Sequence, residues 1–280
     1  MLYIDKIWRD YFENHHEGLG TTYERFILHE YFTNIHQKYH ITSVLESPSF
    51  GMTGVSGINS LWWTFNDCNV TICDSHAERE KSIREVWREI KTDANIVHVN
   101  NYGRLPFDDN SYDLGWNFAS LLFVPSLEEC LREMARVSRK AMFICVPNTL
   151  NVFHQLRSLS GESTGQNVDN IKHKNICSAI RNIEWKIVEN GYLDVPPWPD
   201  IAMKKEDLLR KFGLKKKEAD IKDKEGECLC ILDYFSGKNP LMENEILKFS
   251  FLEHSPRIVK ALWGHHRYYI CEPVVVREAG

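Results

Sequence analysis

Residues 69–101 read NVTICDSHAEREKSIREVWREIKTDANIVHVNN. The segment opens on a β-branched apolar run that ends in an acid, NVTICD (69–74), and closes on a second such run, NIVHVNN (95–101). Between them Ser75 and Glu78 stand at capping-box spacing, and Ile83, Val86, Trp87 and Ile90 fall on one side of a helix. Strand, helix and strand in this order require a right-handed crossover and a parallel sheet covered on both faces.

The same form recurs on either side of this unit. ITSVLE (41–46), YDLGWNF (112–118) and KAMFICVPN (140–148) supply three more strands. A helix opens at Ser126 with Glu129 in capping position and buries Leu127, Cys130, Leu131 and Met134. Ligands of such sheets bind at the carboxyl ends of the strands, so Glu46, Asp74, Asn101 and Asn117 are the positions to test.

Further out, Ile4, Ile7, Trp8, Tyr11 and Phe12 follow helical spacing, as do Tyr23, Ile27, Tyr31 and Ile35. These predict amphipathic helices at 3–13 and 22–37, parted by a break at His15–Gly20, and residues 1–40 are read as a helical cap or lid. Residues 41–149 form the α/β core. Residues 150–225, with the polar SLSGESTGQNVDN (158–170) and the Pro-rich GYLDVPPWPD (191–200), read as an insertion covering the site. The regular pattern returns over 226–280 with GECLCILDYF (226–235), a helix near 243–263 and HHRYYICEPVVV (265–276), which complete the sheet.

Composition narrows the function classes. The chain has 280 residues, 43% of them hydrophobic, enough for a sizeable core. The net charge of −5 gives no pull toward a nucleic-acid backbone, and Lys215–Lys217, the one basic cluster, reads as a solvated helix end. No window approaches the ~18 uninterrupted apolar residues of a membrane span. A cytoplasmic protein with no nucleic-acid or membrane partner is expected. Eight cysteines show no C-x-x-C pair, so free buried thiols and no metal are expected. Cys228 and Cys230 would share a face if their segment were a strand.

After the first strand comes ESPSFGMTGVSG (46–57), a small-residue turn in which glycines allow close approach of a ligand. Its spacing is G-x-x-G-x-x-G, which disfavours a dehydrogenase pyrophosphate turn. Asp74 ends the second strand, where a carboxylate can accept from ribose hydroxyls. It equally suits a helix cap, a role that Ser75 already fills in the sequence pattern.

The third turn is more specific. VNNYGRLPFDDNSYDLGW (99–116), followed by FASLLFVPSLEECLREMARVSRKAMFICVP (118–147), resembles the class I methyltransferases of the small-molecule type. Leu105-Pro106-Phe107, then Asp109, Ser111, Tyr112 and Asp113, then the Leu131–Met134 helix and the fifth strand match that family's run in order and spacing. The match covers roughly residues 41–148.

The resemblance implies a Rossmann-like, mostly parallel seven-stranded sheet with helices on both faces, an N-terminal helical cap and an insertion after the fifth strand. It implies S-adenosylmethionine as cofactor and a small-molecule methyl acceptor. Glu46 matches the acid ending the first strand, and Ser47, Gly51 and Gly54 lie in the turn holding the methionine part. Asp74 matches the ribose-binding acid, with Ser75 beside it. Asn101 falls where an Asp usually accepts from the adenine amino group, and Tyr102 would wall the ring. Asn117 and Phe118 follow the fourth strand, where the family lines the methyl-transfer face. The turn departs from the family at Pro48, which stands where Gly is usual.

An acceptor that carries a proton needs a base, and histidine is the obvious type. The candidates are His15 and His16 in ENHHEGLGTTYER (13–25), and His265 and His266 in ALWGHHRYY (261–269). Alternation along a strand lets one of His265 and His266 face a site. His16 and His265 are the predicted bases, and Tyr11, His15, Tyr23 and Trp198 the predicted substrate contacts. Trp198 in VPPWPD also suits a packing element. Two other functions share parts of the pattern: a non-catalytic cofactor-binding or scaffold relative, suggested by Pro48, and a nicotinamide-dependent oxidoreductase, which shares the acid at Asp74. The residues set neither the acceptor nor an oligomeric state.

Overall fold

In the computed structural model the sheet is built from β1 (Ser43–Glu46), β2 (Asn69–Asp74), β3 (Asn95–His98), β4 (Tyr112–Phe118), β5 (Ser138–Pro147), β6 (Trp185–Leu193) and β7 (His266–Pro273). Residues 18–50, 57–152, 155, 167–197 and 230–274 are described. The strand order is β3-β2-β1-β4-β5-β7-β6. β1 to β5 pair in parallel, and β7 runs antiparallel between β5 and β6. The α/β class and the seven-stranded, mostly parallel sheet are therefore as expected.

Side chains along each buried strand leave alternately to the two faces. Val44, Ile72, Trp116 and Phe143 enter one core, while Leu45, Cys73, Met142 and Ile144 enter the other. The helices are α1 (Gly18–Tyr39), α2 (Leu61–Phe65), α3 (Ala77–Glu89), α4 (Leu127–Val137), α5 (His173–Asn182), α6 (Ile231–Phe235), α7 (Met242–Leu247) and α8 (Arg257–Trp263). α1, α2 and α3 cover the first face. α4 and α5 cover the second. Ser126 caps α4, accepting from the Glu129 amide, and its expected residues are buried.

Four expectations are corrected. The segment 226–235, expected to help complete the sheet, is helix α6 over Ile231–Phe235, and the sixth strand comes from Trp185–Leu193 within the supposed insertion. Apolar helical and strand segments this short look alike. The long helix near 243–263 is interrupted, because Pro256 starts a new helix and a 3₁₀ segment spans Ser250–His254. Gly18–Gly20 are not a break but the first turn of α1. Nor is α1 simply amphipathic: every residue from Gly20 to His29 is buried. Tyr234 and Phe235 of α6 pack over its outer side against Phe26 and His29. The segment at 3–13 lies outside the described residues.

Of the cysteines, those in the described residues are free thiols, and all but the half-buried Cys177 are buried. No helix among the described residues is long and apolar enough to cross a membrane.

Candidate active site

Register places Glu46, Asp74, Phe118 and Pro147 on one edge of the sheet, since Glu46 lies beside Trp116 and Ile72 while Phe118 lies beside Cys145. β7 runs the other way, so its first residue, His266, joins this edge opposite Pro147 and Leu193.

Glu46 is buried and accepts from Ser60 Oγ, which itself accepts from Trp116 Nε1 at 3.2 Å. Burial pushes its carboxyl up to about 8, against the Ser60 hydrogen bond and the nearby charge of Arg25. Arg25 reaches this corner from α1 and donates to Asn59 Oδ1 at 2.5 Å. Ser47 is buried in the turn that follows, its amide donating to the Trp116 carbonyl. Gly51 and Gly54 lie outside the described residues.

Asp74 is fully buried and heavily bonded. Arg79 Nε lies 3.1 and 3.0 Å from its two oxygens, Arg79 Nη2 donates to Oδ1 at 3.0 Å, and Ser49 Oγ donates to Oδ2 at 2.8 Å. The His76 amide donates to Oδ1 at 2.7 Å. The helix cap is thus His76 and not Ser75, and Asp74, placed before α3, supplies the carboxylate at its N-terminus. Ser75 is exposed. The Arg79 guanidinium also lies over the Phe50 ring, 5.1 Å from its centroid. Phe50 meets Tyr102 edge-on at 5.5 Å. Asn101 is exposed and its Oδ1 accepts from the Gly103 amide.

At the end of β4 the arrangement is open in a chemical sense. Asn117 has no exposed surface, yet neither its Nδ2 nor its Oδ1 has a hydrogen-bond partner among the described residues, and buried Ser120 Oγ is in the same state. Ala119 between them adopts φ 53°, a left-handed conformation that a Cβ disfavours.

A second cluster adjoins this end, where the Phe118 and His266 rings lie 4.5 Å apart. His265 Nδ1 is 2.9 Å and His266 Nδ1 3.5 Å from Asp194 Oδ2. Both histidines therefore reach one carboxylate, against the alternation rule, because β7 begins only at His266 and His265 still belongs to the bend before it. Tyr23 of α1 is fully buried; its hydroxyl donates to Glu253 Oε1 at 3.1 Å. Burial pushes Glu253 up to about 7, and burial together with Glu253 raises Tyr23. Burial would raise Asp194 too, but His265 holds it below the usual carboxylate range. Tyr23 and His265, far apart in sequence, thus reach the adjacent residues Val195 and Asp194. Tyr11, His15, His16 and Trp198 lie outside the described residues.

Sequence reasoning missed Arg25, Arg79, Asp194 and Glu253. Arg79 carried a signal, since from the first turn of the helix after β2 it can fold back on the strand's terminal acid. Asp194 carried none beyond its place before Val195-Pro196-Pro197.

Residues 51–145 match the family model for the methyltransferase domain, which here runs from the turn after β1 through most of β5. The core has the Rossmann-like fold of the class I methyltransferases. Among solved structures the fold is similar to that of a protein assigned as a sarcosine dimethylglycine methyltransferase from Galdieria sulphuraria (12% identity, 89% of this chain and 86% of that one, TM-score 0.55). It is also similar to a geranyl diphosphate C-methyltransferase from Streptomyces coelicolor A3(2), solved with Mg2+, geranyl diphosphate and S-adenosyl-L-homocysteine (11% identity, 88% and 80%, TM-score 0.50). At such identities the likeness is one of fold. No curated protein sequence matches the chain. Within the matched segment the run from Leu105 to Asp109 is a structural clamp. Arg136 of α4 donates to the carbonyls of Leu105 and Phe107 and to Asp109 Oδ1, and Glu133 Oε2 accepts from the Leu105 amide.

Proposed function

We propose that the chain transfers a methyl group from S-adenosylmethionine to a small-molecule acceptor. The observation that carries this is the buried, unpartnered Asn117 amide on the carboxyl edge, between the Glu46–Arg25 corner and the Phe118–His266 contact. A buried amide lacking partners costs about 1–3 kcal/mol, so its persistence fits a polar ligand there. Glu46 and Arg25 suit the ammonium and carboxylate of a methionine moiety, and Asn117 and Ser120 add donors and acceptors. Asp74 fits a ribose only if Arg79 or Ser49 gives up a hydrogen bond to it.

When bound, the sulfonium cofactor supplies an already activated methyl group. What remains for the protein is positioning and proton removal. Burial of Glu46, Asn117 and Phe118 would shield a bound acceptor from water, with Phe118 and Tyr23 on the acceptor side. With Nδ1–H donating to Asp194, His265 keeps Nε2 as proton acceptor, the arrangement of an oriented general base. The saturation of Asp74 favours a second reading, a domain that binds a partner or ligand without transfer.

Calorimetric titration with S-adenosylhomocysteine and melting curves test the first reading. Ligand at a hundred times its dissociation constant should add ~2.7 kcal/mol of stability. A melting temperature unmoved by millimolar amounts of both nucleosides would overturn it.

A further inference from the structure

We propose that Glu24, Asp194 and His266 form a binding site for one divalent cation at the edge of the sheet. One ligand atom from each lies within 4.8 Å of the other two, and all three residues are buried. His266 Nδ1 stands 3.6 Å from Glu24 Oε2 and 3.5 Å from Asp194 Oδ2, too far for good hydrogen bonds. Ligands about 2.1 Å from a common ion sit roughly 3.0–3.4 Å apart, so the spacing is close to that of neighbours around a metal.

The second observation is independent of the acidic pair. His266 Nδ1, on a side chain 4% exposed, has no hydrogen-bond partner among the described residues and points between the two carboxylates. An imidazole nitrogen in that position can coordinate a cation held between the carboxylates. Asp194 Oδ1 is likewise buried without a partner, while Oδ2 is bonded to His265 Nδ1, the outer support that ligating carboxylates commonly have. Charge agrees. Two buried carboxylates within 4.8 Å repel each other, and a cation held between them relieves that repulsion. Two carboxylates with one neutral imidazole balance a 2+ ion, and the mixed oxygen and nitrogen set suits a transition-metal ion such as Mn2+ or Fe2+. No sequence spacing announces it, because the ligands come from α1, from the bend after β6 and from the start of β7.

The site stands independently of methyl transfer, and its test needs no cofactor. Chelator-treated full-length protein is titrated with Mn2+, and the free hexaaquo ion is followed by electron paramagnetic resonance. One equivalent should bind per chain, and Asp194→Asn and His266→Gln should each weaken it at least tenfold. Glu24→Gln, which keeps shape and removes one charge, carries the test should either of those fail to fold. A wild type that leaves all Mn2+ free, or a folded variant that binds it as tightly, would overturn the site.

Discussion

The Arg79 guanidinium lies on both oxygens of Asp74, Nε at 3.1 and 3.0 Å, with side-chain exposures of 3% and 0%. The acid that the sequence marks for a ribose is therefore also half of a buried ion pair, and the pair holds the start of α3 against the end of β2.

Removing one partner leaves the other charge buried, which costs about 3–5 kcal/mol. Asp74→Asn should destabilise the protein by that amount in urea unfolding, and Asp74→Asn with Arg79→Met should recover a large part of it. An additive double mutant would show that the two side chains do not interact.

Glu46 makes stability fall with rising pH. Its folded value of about 8 is raised above the ordinary 4.5, so the folded state binds the proton more tightly. Stability is fully present below about 4.5 and is lost as pH climbs toward 8, by up to about 1.4 kcal/mol per unit from this group. Glu46→Gln should flatten that slope in unfolding curves of the ligand-free protein between pH 5 and 8. A parallel decline in mutant and wild type would remove Glu46 as its source.

His29 acts in the opposite direction. Burial, then the charge of Arg25, lowers it from 6.5 to about 3, amid Phe26, Phe32, Trp62, Tyr234 and Phe235. Its contribution is present above 6.5 and is lost as pH falls through the window down to about 3. His29→Leu should shift the acid-unfolding midpoint to lower pH, followed by tryptophan fluorescence. An unmoved midpoint would mean that other groups govern acid unfolding.

Gly115 in β4 has no room for a methyl group, since a Cβ would run into Ser138 Oγ and meet Met134 Cγ at 2.8 Å. Gly115→Ala should cost about 1–3 kcal/mol by overpacking the joint between β4 and α4. Adding Ser138→Ala relieves the first contact and should return part of that, measured by melting temperature.

The α/β class, the first five strands and the Ser126-capped helix were legible because each rests on local signals: β-branched runs, helical periodicity and a cap at fixed spacing. Ile231–Phe235 misled because five apolar-rich residues carry no period, and β6 escaped because WKIVENGYL mixes exposed and buried positions on an edge strand. The strand-end acids Glu46 and Asp74 could be read from chain order, since a parallel sheet must bring those ends together. What binds them could not. Only the tertiary structure sets Arg79 against Asp74, sinks α1 beneath α6 so that Arg25 nears Glu46 and Tyr23 bonds Glu253, and brings both His265 and His266 onto Asp194. Sequence determines periodicity along one element. Burial and contacts between residues as far apart as Tyr23 and Glu253 depend on how elements pack, and it is those contacts that settle which charges are paired and which polar atoms remain for a ligand.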